Sequence, residues 1–301
     1  MNKKAGFAAI LGKPNAGKST LMNAILGQSL SIVTPKAQTT RNKIFGIYTQ
    51  NDAQVIFVDT PGILDPKYKL QIWMRKEIES VFNEADIVVL VIDANKYEPS
   101  EIEEVFKIYG DRFAERKLFC ALNKIDLLES DIVLHLIKDI SEKYKFDEIF
   151  PLSAYKNFNV SELLHTLIKY LPEHEFYYDA DTVAAQTERF FVSELIRQEV
   201  LKLYSEEIPF SVFVDIEEFK ERASGKDYIR AAIIIEKDSQ KKIIIGSKGN
   251  MIKRLGARSR KEIEQFLNKD IFLELFVKVK KNWKNDEDFL RRKFKQGTSA
   301  E

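Results

Sequence analysis

Gly12-Lys13-Pro14-Asn15-Ala16-Gly17-Lys18-Ser19-Thr20 is the stretch that decides the fold. Glycine, four residues and then Gly-Lys-Ser is the P-loop spacing, and it lies between an apolar run, Phe7 to Leu11, and a helical pattern that stops near Gly27. At such a turn successive backbone N–H groups face inward on phosphate oxygens, and the following helix adds the positive end of its dipole. Lys18 is expected to neutralise β- and γ-phosphate oxygens. Ser19 is expected to give one oxygen to Mg²⁺, a hard ion that takes oxygen ligands. A plain Gly-rich turn is the alternative, and the motifs downstream weigh against it.

Outward from the loop, short apolar runs alternate with helical patterns for about 170 residues, as in an α/β domain. Lys43 to Tyr48 and Gln54 to Asp59 read as two strands joined by a polar turn. Ile87 to Asp93, Leu118 to Asn123 and Ile149 to Leu152 bring the total to six, in a mixed sheet flanked by helices. Ser100 and Glu103 stand at capping-box spacing. A further helix runs from after Asn159 to before Pro172.

Three of these strands end in residues suited to a nucleotide. After the first comes Asp59-Thr60-Pro61-Gly62, where the carboxylate can reach a metal through water and the Gly62 N–H can touch a γ-phosphate. Asn123-Lys124-Ile125-Asp126 follows another; a carboxylate at 126 accepts from guanine N1–H and N2–H, which adenine does not offer. Asn123 and the Lys124 stem would hold the loop and cover the ring, while Ser153-Ala154 can turn a backbone N–H to guanine O6. Each tetrapeptide alone is a common turn, but their order on successive strand ends is specific.

The chain has 301 residues, enough for two domains with separate cores. Hydrophobic residues at 45 % and charged residues at 31 % exclude a fibrous or largely disordered chain. One cysteine, Cys120, excludes an internal disulfide framework or a thiolate-rich zinc site and fits a reducing cytosol. No apolar run is long enough to cross a bilayer. A net charge of +1 hides an asymmetry, because Lys237 to Lys295 holds 18 Lys and Arg against 8 Asp and Glu, a local +10. Such an end suits a polyanion, or is simply a solvated basic surface.

From Glu173 to Gln186 the pattern breaks into a polar, tyrosine-bearing stretch expected to be a linker. Beyond it Val192, Leu195, Ile196, Val200 and Leu203 fall at helical spacing. Strand candidates Ser211 to Phe219 and Tyr228 to Glu236 follow, then Gln240 to Ile245, which Ser239 could cap and which periodicity assigns to neither helix nor strand. A basic helix to about Leu267, a strand from Ile271 to Lys280 and a charged helix from about Asp286 complete an α-β-β-α-α-β order. Within it Ile245-Gly246-Ser247-Lys248-Gly249 has the form of a GXXG loop, whose glycines let a single nucleic-acid strand approach the backbone. Lys253, Arg254, Arg258, Arg260 and Lys261 follow, some of which must simply face solvent.

Gly12 to Thr20 together with Gln38-Thr39-Thr40-Arg41 resembles the Era family of translation-factor-class GTPases, and the GXXG half is similar to a type II KH domain. The resemblance covers nearly the whole chain and implies a GTPase domain at 1–172, a linker at 173–186 and an RNA-binding KH domain at 187–301. It implies GTP/GDP and Mg²⁺ as ligands, with Thr40 joining Ser19 and Asp59 at the metal in the GTP state. Where a Ras-like GTPase carries the Gln that orients water stands Ile63, so slow intrinsic hydrolysis is expected. Asn15 resembles an asparagine that helps hold K⁺ near the phosphates in related GTPases; a loop-bracing role is the alternative. The catalytic set implied is therefore Lys18, Thr40, Gly62 and Asn15.

As partners, the resemblance implies the 3′ end of small-subunit ribosomal RNA during 30S maturation, in a cytoplasmic monomer that associates loosely with the inner membrane surface. Two other readings compete. A P-loop phosphotransferase is disfavoured because no acceptor-activating base is evident, and a membrane-surface switch binding anionic lipid is disfavoured by the GXXG loop.

Overall fold

The computed structural model describes residues 3–295. Two compact units emerge, one of residues up to 67 together with 71–185, the other of 68–70 with the residues from 186 onward.

In the first unit six strands order as β2-β3-β1-β4-β5-β6: β1 (Lys4–Leu11), β2 (Ile44–Gln50), β3 (Ala53–Asp59), β4 (Ile87–Asp93), β5 (Lys117–Asn123) and β6 (Glu148–Leu152). Only β2 runs antiparallel to its neighbour. Every residue of β3 and β4 is buried, as continuous apolar strands covered by helices on both faces should be. The covering helices are α1 (Lys18–Leu26), α2 (Lys69–Val81), α3 (Pro99–Phe113), α4 (Ser130–Lys143) and α5 (Val160–Tyr170). Because the central strands are parallel, their carboxyl ends share one edge of the sheet, and Asp59, Asp93 and Asn123 all stand there. The capping box expected at Ser100 and Glu103 does not form. Pro99, with its fixed φ and no N–H to satisfy, opens α3 one residue earlier and leaves Ser100 inside the first turn.

The stretch 173–186, expected to be a linker, is held on this unit for most of its length. The buried amide of Gln54 accepts from the N–H groups of Tyr177 and Tyr178 (2.9 and 3.1 Å) and donates to the Tyr178 carbonyl (2.9 Å). Ile47 donates to Val183 at 2.9 Å, so the segment adds to the free edge of β2.

In the second unit β7 (Phe213–Lys220), β8 (Asp227–Ile235) and β9 (Ile271–Val279) form a sheet in that order, β7 antiparallel and β9 parallel to β8. A parallel pair needs a long crossover. It is supplied by α8 (Asp238–Ile245) and α9 (Asn250–Leu267), which follow α6 (Glu188–Leu203) and the single turn α7 (Ile208–Ser211). One helix-covered core gathers Val192, Ile196, Ile229 and Ile263; a second gathers Val200, Ile233, Ile244 and Leu255. The last helix, α10 (Glu287–Lys295), packs Phe289 against Phe213 and the buried Trp283. Apart from the single turn α7, the expected order α-β-β-α-α-β is the order observed: an α/β domain carrying the P-loop is followed by an α+β domain carrying the GXXG turn. Three local expectations change. The unassigned segment 240–245 is helical, and Ser239 does not cap it, since α8 begins at Asp238 and the side-chain Oε1 of Gln240 accepts from the N–H groups of Glu236 and Lys237. The strand expected from Ser211 begins only at Phe213, because Pro209 sits in the first turn of a helical segment ending at Ser211.

Candidate functional site

The P-loop sequence folds over the carboxyl ends of β1 and β4, and a cleft of ≈340 Å³ opens beside it. Pro14, Asn15, Gly17, Lys18, Ser19 and Thr20 line one wall, Thr39, Thr40 and Gly62 another, and Lys96 and Lys124 a third. Lys18 is buried and donates to the carbonyls of Gly12 (3.0 Å) and Lys13 (2.9 Å). Burial brings its ammonium down to about 8, with the Asp59 carboxylate opposing that fall. Lys13 itself points outward to Glu101 (3.5 Å) and Glu104 (3.1 Å) on α3.

Ser19, Thr40 and Asp59 come together. Ser19 Oγ lies 3.0 Å from Thr40 Oγ1 and donates to Asp59 Oδ2 at 2.6 Å, and Thr40 Oγ1 stands 3.5 Å from the same oxygen. Asp59 is wholly buried, which raises its pKa against the pull of Lys18, and its Oδ1 accepts no hydrogen bond. Two hydroxyls and a buried carboxylate with an unused oxygen are a donor set that fits a hard, oxygen-seeking cation such as Mg²⁺.

Thr60 donates to the Ile10 carbonyl (2.8 Å), fixing the loop that carries buried Pro61 and Gly62. Gly62 packs so closely that a Cβ would lie 2.7 Å from the backbone nitrogen of Pro14, and only glycine fits. Ile63 donates to the Gly12 carbonyl (3.0 Å) and buries its side chain in the main core with Leu11, Leu90 and Ile92. Position 63 thus offers no polar group to the cleft.

At the end of β5, Asn123 joins three loops: Nδ2 donates to Ala16 (2.8 Å) and Oδ1 accepts from the Ala154 N–H (3.0 Å). Ser153 Oγ accepts from the Lys156 N–H at 3.1 Å. Lys124 reaches across to the Asn15 carbonyl (2.7 Å) and to Asp93 (2.6 Å), while the Asp126 carboxylate is exposed. Asn15 also donates through Nδ2 to the Pro35 carbonyl (3.0 Å), bracing the P-loop against the segment that leads to Thr40. Asp93 and Lys96 were not among the residues singled out from sequence. Asp93 carries the same signal as Asp59, an acid ending an apolar strand, without a following glycine to mark it.

In the second unit Gly246 (φ 70), Lys248 (φ 50) and Gly249 (φ 77) turn the chain between α8 and α9. A Cβ at Gly246 would meet Met251 at 2.6 Å, whereas at Gly249 it would meet open space. Ser247, Lys248, Lys253 and Arg254 are exposed around this turn and Ile245 is half-buried. Intramolecular pairing divides the cations. Arg258 binds the buried Glu199 (2.5 Å) and Arg260 lies 3.8 Å from Glu264, while among the described residues Lys248, Lys253, Arg254 and Lys261 have no acidic partner within 4.0 Å.

A family model described as 50S ribosome-binding GTPase matches residues 7–124, and a KH domain model matches residues 207–284. The GTPase Era of Lacticaseibacillus paracasei is 43 % identical over 287 residues, covering 95 % of each chain. That of Lactobacillus helveticus is 43 % identical over 291 residues, 96 % of this chain and 95 % of the relative. A crystal structure of Era in complex with MgGDPNP and nucleotides 1506–1542 of 16S ribosomal RNA has a TM-score of 0.93 and 37 % identity, over 98 % of this chain and 99 % of that one. An Aquifex aeolicus Era variant bound to GDP and AlF4⁻ gives a TM-score of 0.92 at 37 % identity, with the same coverage.

Proposed function

The chain belongs to the Era family of GTPases, and from that premise we propose that its GTP cycle governs binding to the single-stranded 3′ end of small-subunit ribosomal RNA in 30S biogenesis. The observation that carries this reading is the set of unpaired cations, Lys248, Lys253 and Arg254, around a GXXG turn in a type II KH fold. Ribosomal RNA is the chemistry held by the Era of similar structure. Residues 1–172 would work the nucleotide and 187–301 the RNA, with 173–186 joining them.

For hydrolysis, P-loop N–H groups and the start of α1 cradle the phosphates. Lys18 exchanges the carbonyls of Gly12 and Lys13 for β- and γ-oxygens. Ser19, Thr40 and Asp59 would hold Mg²⁺, which when bound would supply positive charge against the phosphate oxygens. Gly62 offers its N–H to the γ-phosphate. Asp126 reads guanine N1 and N2, the Lys124 stem covers the ring, and O6 shares the Ala154 N–H with Asn123. With Ile63 in the core no side chain at that position orients the attacking water, so intrinsic turnover is slow. Asn15 would help to hold a K⁺ ion, which when bound would supply further charge. The protein works as a cytoplasmic monomer with peripheral contact at the inner membrane; no helix among the described residues is long and apolar enough to cross one.

The test is fluorescence anisotropy with a 3′-terminal single-stranded ribosomal RNA, a matched duplex and anionic vesicles, each with GDP and with a non-hydrolysable GTP analogue. The single strand should bind best, and more tightly in the GTP-analogue state. Equal binding of duplex would remove the KH reading, and preference for vesicles would put the membrane-surface switch in its place.

A further inference from the structure

Lys124 is one of the residues in the left-handed region (φ 68), a conformation that side-chain-bearing residues rarely adopt, so something must hold it. Its ammonium is held at two points, the Asn15 carbonyl at 2.7 Å and Asp93 Oδ2 at 2.6 Å. Asp93 is itself fixed. It ends β4, its side chain is 12 % exposed, and its Oδ1 accepts from the Asn95 N–H at 3.1 Å, starting the single turn Ala94–Lys96. Three lysines, Lys18, Lys96 and Lys124, line the nucleotide cleft. Among the described residues only Lys124 of the three forms an ion pair, and its partner Asp93 is not part of the cleft lining, so the charge is neutralised outside the cleft and the aliphatic stem is what Lys124 has left to offer it.

We propose that Asp93 is a positioning residue for guanine-nucleotide binding: it touches no nucleotide and acts by holding the Lys124 side chain against the P-loop, so that the stem lies where the base stacks. The inference rests on the reading of Asn123-Lys124-Ile125-Asp126 as the guanine loop. Contacts with the base are the same in ground and transition state, so Asp93 acts on affinity and leaves the chemical step alone. Reading affinity directly as Kd, apart from kcat at saturating GTP, separates the two effects.

The experiment is a double-mutant cycle on the full chain, reading GDP and GTP affinity with a fluorescent analogue and kcat at saturating GTP. Removing one partner of a charge-assisted hydrogen bond in a part-buried site predicts about a tenfold loss of affinity for Asp93→Ala, with kcat within about twofold of the parent. Asp93→Asn keeps one acceptor and should lose about threefold. In a Lys124→Ala background both substitutions should change affinity by less than about twofold. A loss that persists undiminished in that background means that Asp93 acts through the general fold, and overturns the proposal. If Lys124→Ala alone leaves guanine-nucleotide affinity intact, the guanine-loop reading fails and the proposal with it. Should Asp93→Ala not fold, the Asp93→Asn arm carries the same cycle to the same decision.

Discussion

Ser19 Oγ donates to Asp59 Oδ2 across 2.6 Å, joining the second residue of α1 to the last residue of β3. The contact spans 40 positions and places the P-loop hydroxyl, the Thr40 hydroxyl and the buried carboxylate around one point. Ser19→Ala removes one of the three oxygens. GTP hydrolysis at saturating Mg²⁺ should fall on the order of a hundredfold, the scale for losing one group that stabilises transition-state charge. Phosphate release measures it, and a rate near that of the parent would take Ser19 out of the site.

Asp126 is exposed, two residues beyond Lys124 of the cleft lining. Asp126→Asn replaces two acceptors by an acceptor and a donor. Loss of a pair of charge-assisted hydrogen bonds should weaken GTP binding by at least about a hundredfold, while xanthosine triphosphate, whose O2 accepts from the new amide, gains. Competition between the two nucleotides for the variant checks this, and unchanged GTP preference would place the base elsewhere.

Asn15 braces Pro35 through Nδ2, and Ile63 lies in the core. A K⁺ site beside Asn15 in addition to that brace predicts that hydrolysis runs faster in K⁺ than in Na⁺ at equal ionic strength and that Asn15→Ala abolishes the difference. Identical parental rates in the two salts would refute a cation site beside Asn15 and leave only the bracing role.

At the GXXG turn the two glycines differ. Gly246→Ala would strike Met251, so a loss of RNA binding there would report on folding; Gly249 faces open space and, although its φ of 77 strains any side chain, is the more informative position once folding is checked by circular dichroism. Gly249→Asp should abolish single-stranded RNA binding while GTP hydrolysis persists. Lys248→Ala should lower the slope of log K against log salt by about 0.7, one single-strand phosphate contact. Anisotropy over a salt series reads both, and parental binding by a folded Gly249→Asp protein would reduce the loop to a helix connector.

Glu199 predicts a pH dependence of the KH domain's stability. Burial pushes its pKa up, but hydrogen bonds from Lys202 and Arg258 outweigh burial and hold the carboxyl below its ordinary value of 4.5. A depressed carboxylate binds fewer protons in the folded than in the unfolded chain, so its contribution is present above that value and lost as pH falls below it. Glu199→Gln should cost about 1–2 kcal/mol at pH 7, discounted for the exposure of both cations, and almost nothing in strong acid. Urea unfolding at the two pH values tests it; an equal cost at both would mean that packing, not charge, explains Glu199.

What the sequence determined by itself is whatever is written within a few neighbouring residues. The P-loop spacing, the strand-end motifs at Asp59 and Asn123, the GXXG spacing from Gly246, and the apolar periodicity of β3, β4 and α6 each depend on adjacent positions, and they sufficed for both folds and for most of the cleft. Tertiary structure decided the rest, because pairing between distant positions leaves no local pattern. It chose helix for 240–245, where Ile244 joins Leu255 in one core, and it tied the polar stretch before Thr187 to Gln54 of β3 and, through Ile47, to the edge of β2. It also sorted the basic quarter, giving Arg258 to Glu199 while leaving Lys248, Lys253 and Arg254 at the surface. Asp93 shows the limit most clearly: its carboxylate gains a meaning only when β4 and β5 pair in register and bring Lys124, 31 positions away, within 2.6 Å.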